Sequence, residues 1–311
     1  MILIRILPVV FSITLLVSTG VFADDAVDVE QAIKPTAPMV GSWIFSGLVT
    51  NESGERYGYF FQMQRQGAVF HAKTALIDGQ TNKLVFFYEG KETIDKATAL
   101  DWHVGRSFIR YNPISDSWIF GVKVEDNKGF NFKVDIVQQA KNENEILVLR
   151  PGVELQALQT SRLNGHVHTG SGAQEQFVTG NKAWFGKLWF SKDQKTAHEI
   201  STTFCRLSNE TGFYSANLKE SDATGAAVAG WRDAAGSKVK MSQFVSIKTL
   251  MNNESQLNVL LPKLSLKLFN TLTHEDNAPL SIAGFTKDNP TGFCFVADQS
   301  LTQTKETAAV G

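Results

Sequence analysis

Residues 41–65, "GSWIFSGLVTNESGERYGYFFQMQR", decide how the rest of the chain is read. Two apolar runs flank "NESGE", residues 51–55, whose Asn, Ser and Gly are turn formers. Neither run keeps apolar residues at i, i+3, i+4 and i+7, so a helix is disfavoured, and short apolar or alternating runs bounded by turn signals read as strands. The same grammar repeats along the chain. "AVFHAKTALI" and "KLVFFYEG" flank the turn "DGQTN", and "SFIRYN", "SWIFGVKVE" and "FNFKVDIVQ" follow. After the polar piece "QQAKNENE" and the stretch "ILVLRPGVELQALQ", a second set opens with "RLNGHVHTG", "EQFVTGNKAWFGKLWF" and "HEISTTFCRLS" and runs to "TGFCFVA". Strands spaced about 8 to 14 residues apart, with hairpin turns between them, predict an all-β fold of two antiparallel barrels or barrel-like sandwiches in tandem.

The first 23 residues, "MILIRILPVVFSITLLVSTGVFA", carry a positive start at Arg5, an apolar run from Ile6 to Val17 and a small-residue site ending at Ala23, the pattern of a secretory signal. The run is shorter than the roughly 20 residues that span a bilayer; an uncleaved anchor is the alternative. The predicted organisation is a signal peptide over 1–23, a linker over 24–38, an N-terminal β domain over 39–155, a C-terminal β domain over 156–304 and a disordered tail over 305–311. With 30 basic and 31 acidic side chains the surface is balanced, so nucleic acid is not an expected partner. No later segment is apolar enough to cross a membrane, and a periplasmic or secreted location is expected. The sequence does not specify an oligomeric state.

Cys205 and Cys294 are the only cysteines. In an oxidising compartment such a pair persists as a disulfide; two buried, inert thiols are the alternative.

Two stretches carry a family resemblance. "GSWIFSGLVTNESGERYGYFFQMQR" is similar to the opening of the AttH and carotenoid 1,2-hydratase superfamily: a Trp-bearing strand, a turn with Gly, and a strand ending in Arg. "TSRLNGHVHTGSGAQEQFVTGNKAWFGKLWF" resembles the opening of that family's second barrel. The resemblance implies two lipocalin-like barrels. It also implies, for the members that are hydratases, an acidic side chain near the second Trp strand. Aligned on Trp184 and Trp189, this chain has Phe185 and Gly186 where that acid would stand and Leu188 before Trp189. Alkene hydration needs a proton donor in a dry pocket, so this departure weighs against catalysis.

The remaining candidates are weighed on residue type and spacing. His166 and His168 share a strand face at metal-ligand spacing, with His198 as a guessed third ligand; two ordinary surface histidines are the plainer reading, so no metal is expected. Asp101 and His103 share a face as an acid-oriented imidazole would, but Arg106 and Arg110 nearby favour surface ion pairing. His198 and Tyr214 are the catalytic candidates of a hydratase-like reading, one as proton donor and the other as an aromatic face for a cation. No nucleophile elbow, His-Glu-x-x-His, phosphate loop or dinucleotide fingerprint occurs, and no cofactor is expected. The expected function is binding of a small hydrophobic, lipid-like or isoprenoid ligand by Trp184, Phe185, Trp189 and Tyr214 in a barrel, without catalysis. A hydratase, isomerase or lyase is the first alternative, and an exported interaction module the second.

Overall fold

The computed structural model describes residues 37–95, 100–136, 146–220, 223–271, 280–281, 283–286 and 292–302. The expected signal segment, linker residues 24–36 and the tail 305–311 lie outside the described residues. The described chain is almost wholly β, in two curled antiparallel sheets.

The first sheet holds β1 (Val40–Asn51), β2 (Arg56–Gln66), β3 (Val69–Asp78), β4 (Lys83–Thr93) and β5 (Asp101–Val104). It continues with β6 (Ser107–Asn112), β7 (Ser117–Lys123), β8 (Gly129–Asp135), β9 (Ile146–Arg150) and β10 (Val153–Gln159). It ends with β11 (Arg162–His168), β12 (Gln176–Gly180) and β13 (Trp184–Phe190). The second sheet holds β14 (His198–Leu207), β15 (Gly212–Glu220), β16 (Ala223–Arg232), β17 (Lys238–Val239) and β18 (Val245–Thr249). β19 (Glu254–Val259), β20 (Leu264–Asn270), β21 (Leu280–Ser281), β22 (Ala283–Thr286) and β23 (Gly292–Leu301) complete it.

The first sheet curls into a barrel in the order β4-β3-β2-β1-β12-β11-β8-β7-β6-β5, and the second forms a half-barrel. The turn after β1 lies where "NESGE" predicts it, with Gly54 at φ +82°, a conformation that costs glycine little. β1 is long enough to serve two neighbours on one side. Its first half pairs with β13, Ile44 opposite Gly186, and its end pairs with β12, Asn51 opposite Val178. β13 in turn pairs with β10. The expected division between residues 155 and 156 therefore falls inside β10, and residues 156–190 belong to the first sheet. The physical reason is long-range pairing: the edge of β1 away from β2 is closed by β12 and β13, strands far along the chain, a pairing no local pattern encodes.

Burial separates two kinds of strand. β8, "GFNFKVD", alternates buried and exposed residues, with Phe130, Phe132 and Val134 inside the barrel. β1 and β2 are buried along nearly their whole length because both faces are covered. Their inner face, with Trp43, Phe45, Tyr59 and Phe61, fills the barrel, while their outer face, with Ile44 and Phe60, packs on the second sheet. At this seam Phe60 stacks on Phe295 with centroids 3.7 Å apart. Gln62 donates to Ser42 at 2.9 Å and to Gln299 at 3.0 Å, so a buried amide inside the seam is satisfied from both sheets. The opposite face of the second sheet carries its own core, built on Phe213, Leu257, Leu266 and a disulfide between Cys205 and Cys294. These cysteines are direct partners on β14 and β23, so the pairing expected from composition is present.

Candidate functional site

β13 runs through the middle of the expected ligand wall, and its alternation sends the candidates to two places. Trp184, Gly186 and Leu188 face the second sheet; Phe185 belongs to the barrel interior, on the face opposite theirs. Trp184 is fully buried, donates from Nε1 to the Cys205 carbonyl at 2.7 Å, and meets Tyr214 edge-on at 5.3 Å. Phe185 lies in the other core, 5.0 Å from Phe45 and 5.6 Å from Trp118. Trp189 is half-buried beside Lys187. Thus Trp184 and Tyr214 come together, whereas Phe185 and Trp189 do not join them.

The barrel interior itself is filled by rings. Phe45 stacks on Phe120 at 4.2 Å and Phe130 on Phe132 at 4.6 Å, with Trp102 edge-on to Trp43 at 4.8 Å. Such a lumen is a packed aromatic core, in which ring pairs add to simple burial.

His198 and Tyr214 do not form one centre. Tyr214 is the partner of Phe204, and His198 lies six residues before Phe204 on the same strand, about 20 Å away at strand rise. His198 Nε2 sits 3.0 Å from Gln194 Oε1, and its ring packs on Phe190. His166 and His168 do share the outer face of β11, but His198 is on the other sheet. Among the described residues no group of three metal-ligating side chains occurs. Asp101 accepts a hydrogen bond from Arg110 at 2.9 Å and lies 3.9 Å from an exposed His103, the geometry of surface ion pairing.

Lys187 is a feature the aromatic reading of this stretch passed over. Its Nζ lies 4.9 Å from the Trp189 ring centre and 6.0 Å from that of Trp43. Burial holds its pKa below the ordinary lysine value, while the two ring faces offset part of the desolvation. The unfolded chain therefore binds more protons than the fold between the lowered value and the ordinary one, and stability rises with pH across that window. Lys187→Met is expected to stabilise the protein by about 1 kcal/mol near pH 7, with the gain shrinking toward about pH 10. Urea midpoints of both proteins at the two pH values check this; a gain that is constant with pH would show that the charge is not its source.

A cleft lies beside the barrel's mouth, on the outer side of the strands that carry Phe108, His166 and His168. Here the β5–β6, β7–β8 and β11–β12 turns border about 480 Å³, and Phe108, Val122 and Phe130 are its apolar lining. Arg106, Lys123 and Lys128 stand on its walls against one carboxylate, Glu175, and His166 and His168 complete them. Nδ1 of His168 is buried without a hydrogen-bond partner among the described residues. Sequence reasoning singled out the two histidines but not the cleft, because three turns separated by tens of residues build it. The local signals were single basic residues at two of these turns, Arg106 and Lys128.

No protein-family model and no curated protein sequence matches the chain. Solved structures do. A protein designated AttH from Nitrosomonas europaea superposes with a TM-score of 0.59 at 14% identity, over 85% of this chain and 92% of that one. Kievitone hydratase from Nectria haematococca superposes with a TM-score of 0.55 at 11% identity, over 88% and 95%. The likeness covers most of the chain, and with the barrel and half-barrel described above it gives the chain an AttH-like twin-barrel fold.

Proposed function

We propose that the protein is an exported carrier or sensor of a small hydrophobic molecule with an acidic end, of fatty or isoprenoid type, held at the mouth of the first barrel without chemical change. The observation that carries this reading is the mouth cleft: an apolar lining beside three basic side chains, two histidines and a single acid. Sites for small ligands combine such a concave apolar surface with a few polar groups that orient the guest. The packed lumen moves the expected ligand from the barrel's interior to its rim. Export is supported by the signal-like first 23 residues and by the disulfide, which an oxidising compartment preserves.

The likeness to kievitone hydratase favours a second reading, addition of water to a bound alkene. One experiment separates the two. The purified protein is titrated with a fluorescent polyene fatty acid, and the recovered probe is weighed by mass spectrometry. Binding with the probe unchanged, weakened about tenfold in Phe108→Ala and in Lys128→Glu, is the expected result. Recovery of a hydrated probe would support the hydratase, and equal affinity in both variants would reject the mouth as the site.

A further inference from the structure

The seam between the two sheets holds a second cavity of opposite character. It encloses about 400 Å³ between the end of β1, the start of β2, the β12–β13 turn and the β14–β15 turn, and Arg56, Arg206, Glu210, Thr50 and Thr179 line it. We infer that this cavity is a binding site for a small oxyanion, a carboxylate or phosphate group, gripped from both sheets at once.

Arg206 is the central residue of this cavity. It is 6% exposed, and burying a guanidinium is costly unless its charge is met. Its N–H groups go to neutral acceptors: Nε to the Asn181 carbonyl at 3.4 Å, Nη1 to the carbonyls of Leu207 at 2.7 Å and Thr211 at 3.3 Å, and Nη2 to Asn181 Oδ1 at 3.2 Å. Those bonds use four of the five N–H groups that arginine carries. The second hydrogen on Nη2 has no acceptor among the described residues, and no carboxylate contacts the guanidinium.

The rest of the lining offsets the positive charge only in part, through the nearby Glu210. Arg56 lies over the Phe285 ring, 6.0 Å from its centre, and makes no ion pair among the described residues. Glu210 is the one acid on the wall, and Lys182 already holds it at 2.7 Å. That hydrogen bond is the main reason its pKa is lowered, with Arg206 a smaller one, so the carboxylate is held chiefly by the lysine. Two guanidinium groups and two threonines around a cavity of ligand size match the forked geometry of carboxylate and phosphate. This site differs from the barrel mouth in every lining residue.

An occupant bridging both sheets stabilises the fold by mass action. The test follows thermal unfolding and calorimetric binding with sodium phosphate, and separately with sodium citrate, against sodium chloride at equal ionic strength. Saturable binding by one of the two is expected, with a rise in Tm. Affinity should fall at least tenfold in Arg56→Gln and detectably in Thr179→Val, while Phe108→Ala binds as the wild type does. Phosphate alone would identify a phosphate site, and citrate alone a carboxylate site. Excluded salts raise Tm without binding, so a rise that persists unchanged in Arg56→Gln and Thr179→Val, or heats no different from chloride, would overturn the inference. Because Phe108→Ala reports on the mouth cleft alone, failure of one site leaves the other standing.

Discussion

Removing the Cys205–Cys294 bond, by substitution of both residues with Ala, is expected to lower stability by about 4 to 5 kcal/mol. The two cysteines are 89 residues apart, and closing a loop of that length removes roughly this much conformational freedom from the unfolded chain. The loop contains β15 to β22, so the bond ties the first and last strands of the half-barrel across everything between them. Both sulfurs sit in a core with no exposure, beside Phe213 and Leu266. A reductant should therefore act slowly on the folded protein and quickly once denaturant opens the second sheet. Urea midpoints of the oxidised protein and of the double variant measure the effect; coincident curves would show that the bond contributes nothing.

How much of this was legible in the amino-acid order differs between strands and their partners. "GSWIFSGLVTNESGERYGYFFQMQR" already shows two strands and their turn, and its long apolar runs already show that both faces are covered, because a half-exposed strand such as "GFNFKVD" alternates. What covers the second face is a long-range fact. Phe60 meets Phe295 across more than two hundred residues, and nothing beside either ring encodes the other. The disulfide was legible from composition and compartment alone, while its exact opposition on β14 and β23 was not. For the ligand wall, alternation did divide β13 into two faces, Trp184 on one and Phe185 on the other. It could not say that one face enters a packed barrel and the other a seam. The mouth cleft and the seam cavity were illegible for the same reason: each is assembled from turns, and turn residues carry local conformation rather than the identity of their neighbours.

Gly186→Asp places an acid at the position where the family resemblance expects one, and it is expected to cost about 3 to 5 kcal/mol and to confer no hydratase activity. β13 is an inner strand here, with Gly186 opposite Ile44 of β1 and Ala157 of β10, so the backbone has no room to retreat. A Cβ at Gly186 would fall 2.5 Å from Cζ of Phe204, a ring held in the seam core against Trp184. Overpacking alone costs about 1 to 3 kcal/mol, the loss expected for Gly186→Ala. The carboxylate adds the penalty of a buried charge without a partner, which raises its pKa above that of the unfolded chain. The added penalty is then absent below the unfolded value and grows as pH rises through the folded one, so the gap between the Asp and Ala variants should narrow as pH falls toward about 4. Phe204→Ala opens the space that the new side chain needs. In the double variant the two losses should sum to less than their separate values by more than 1 kcal/mol, as for residues sharing one cavity. Strict additivity in urea melts of the four proteins would mean that Phe204 is not what excludes an acid from this strand.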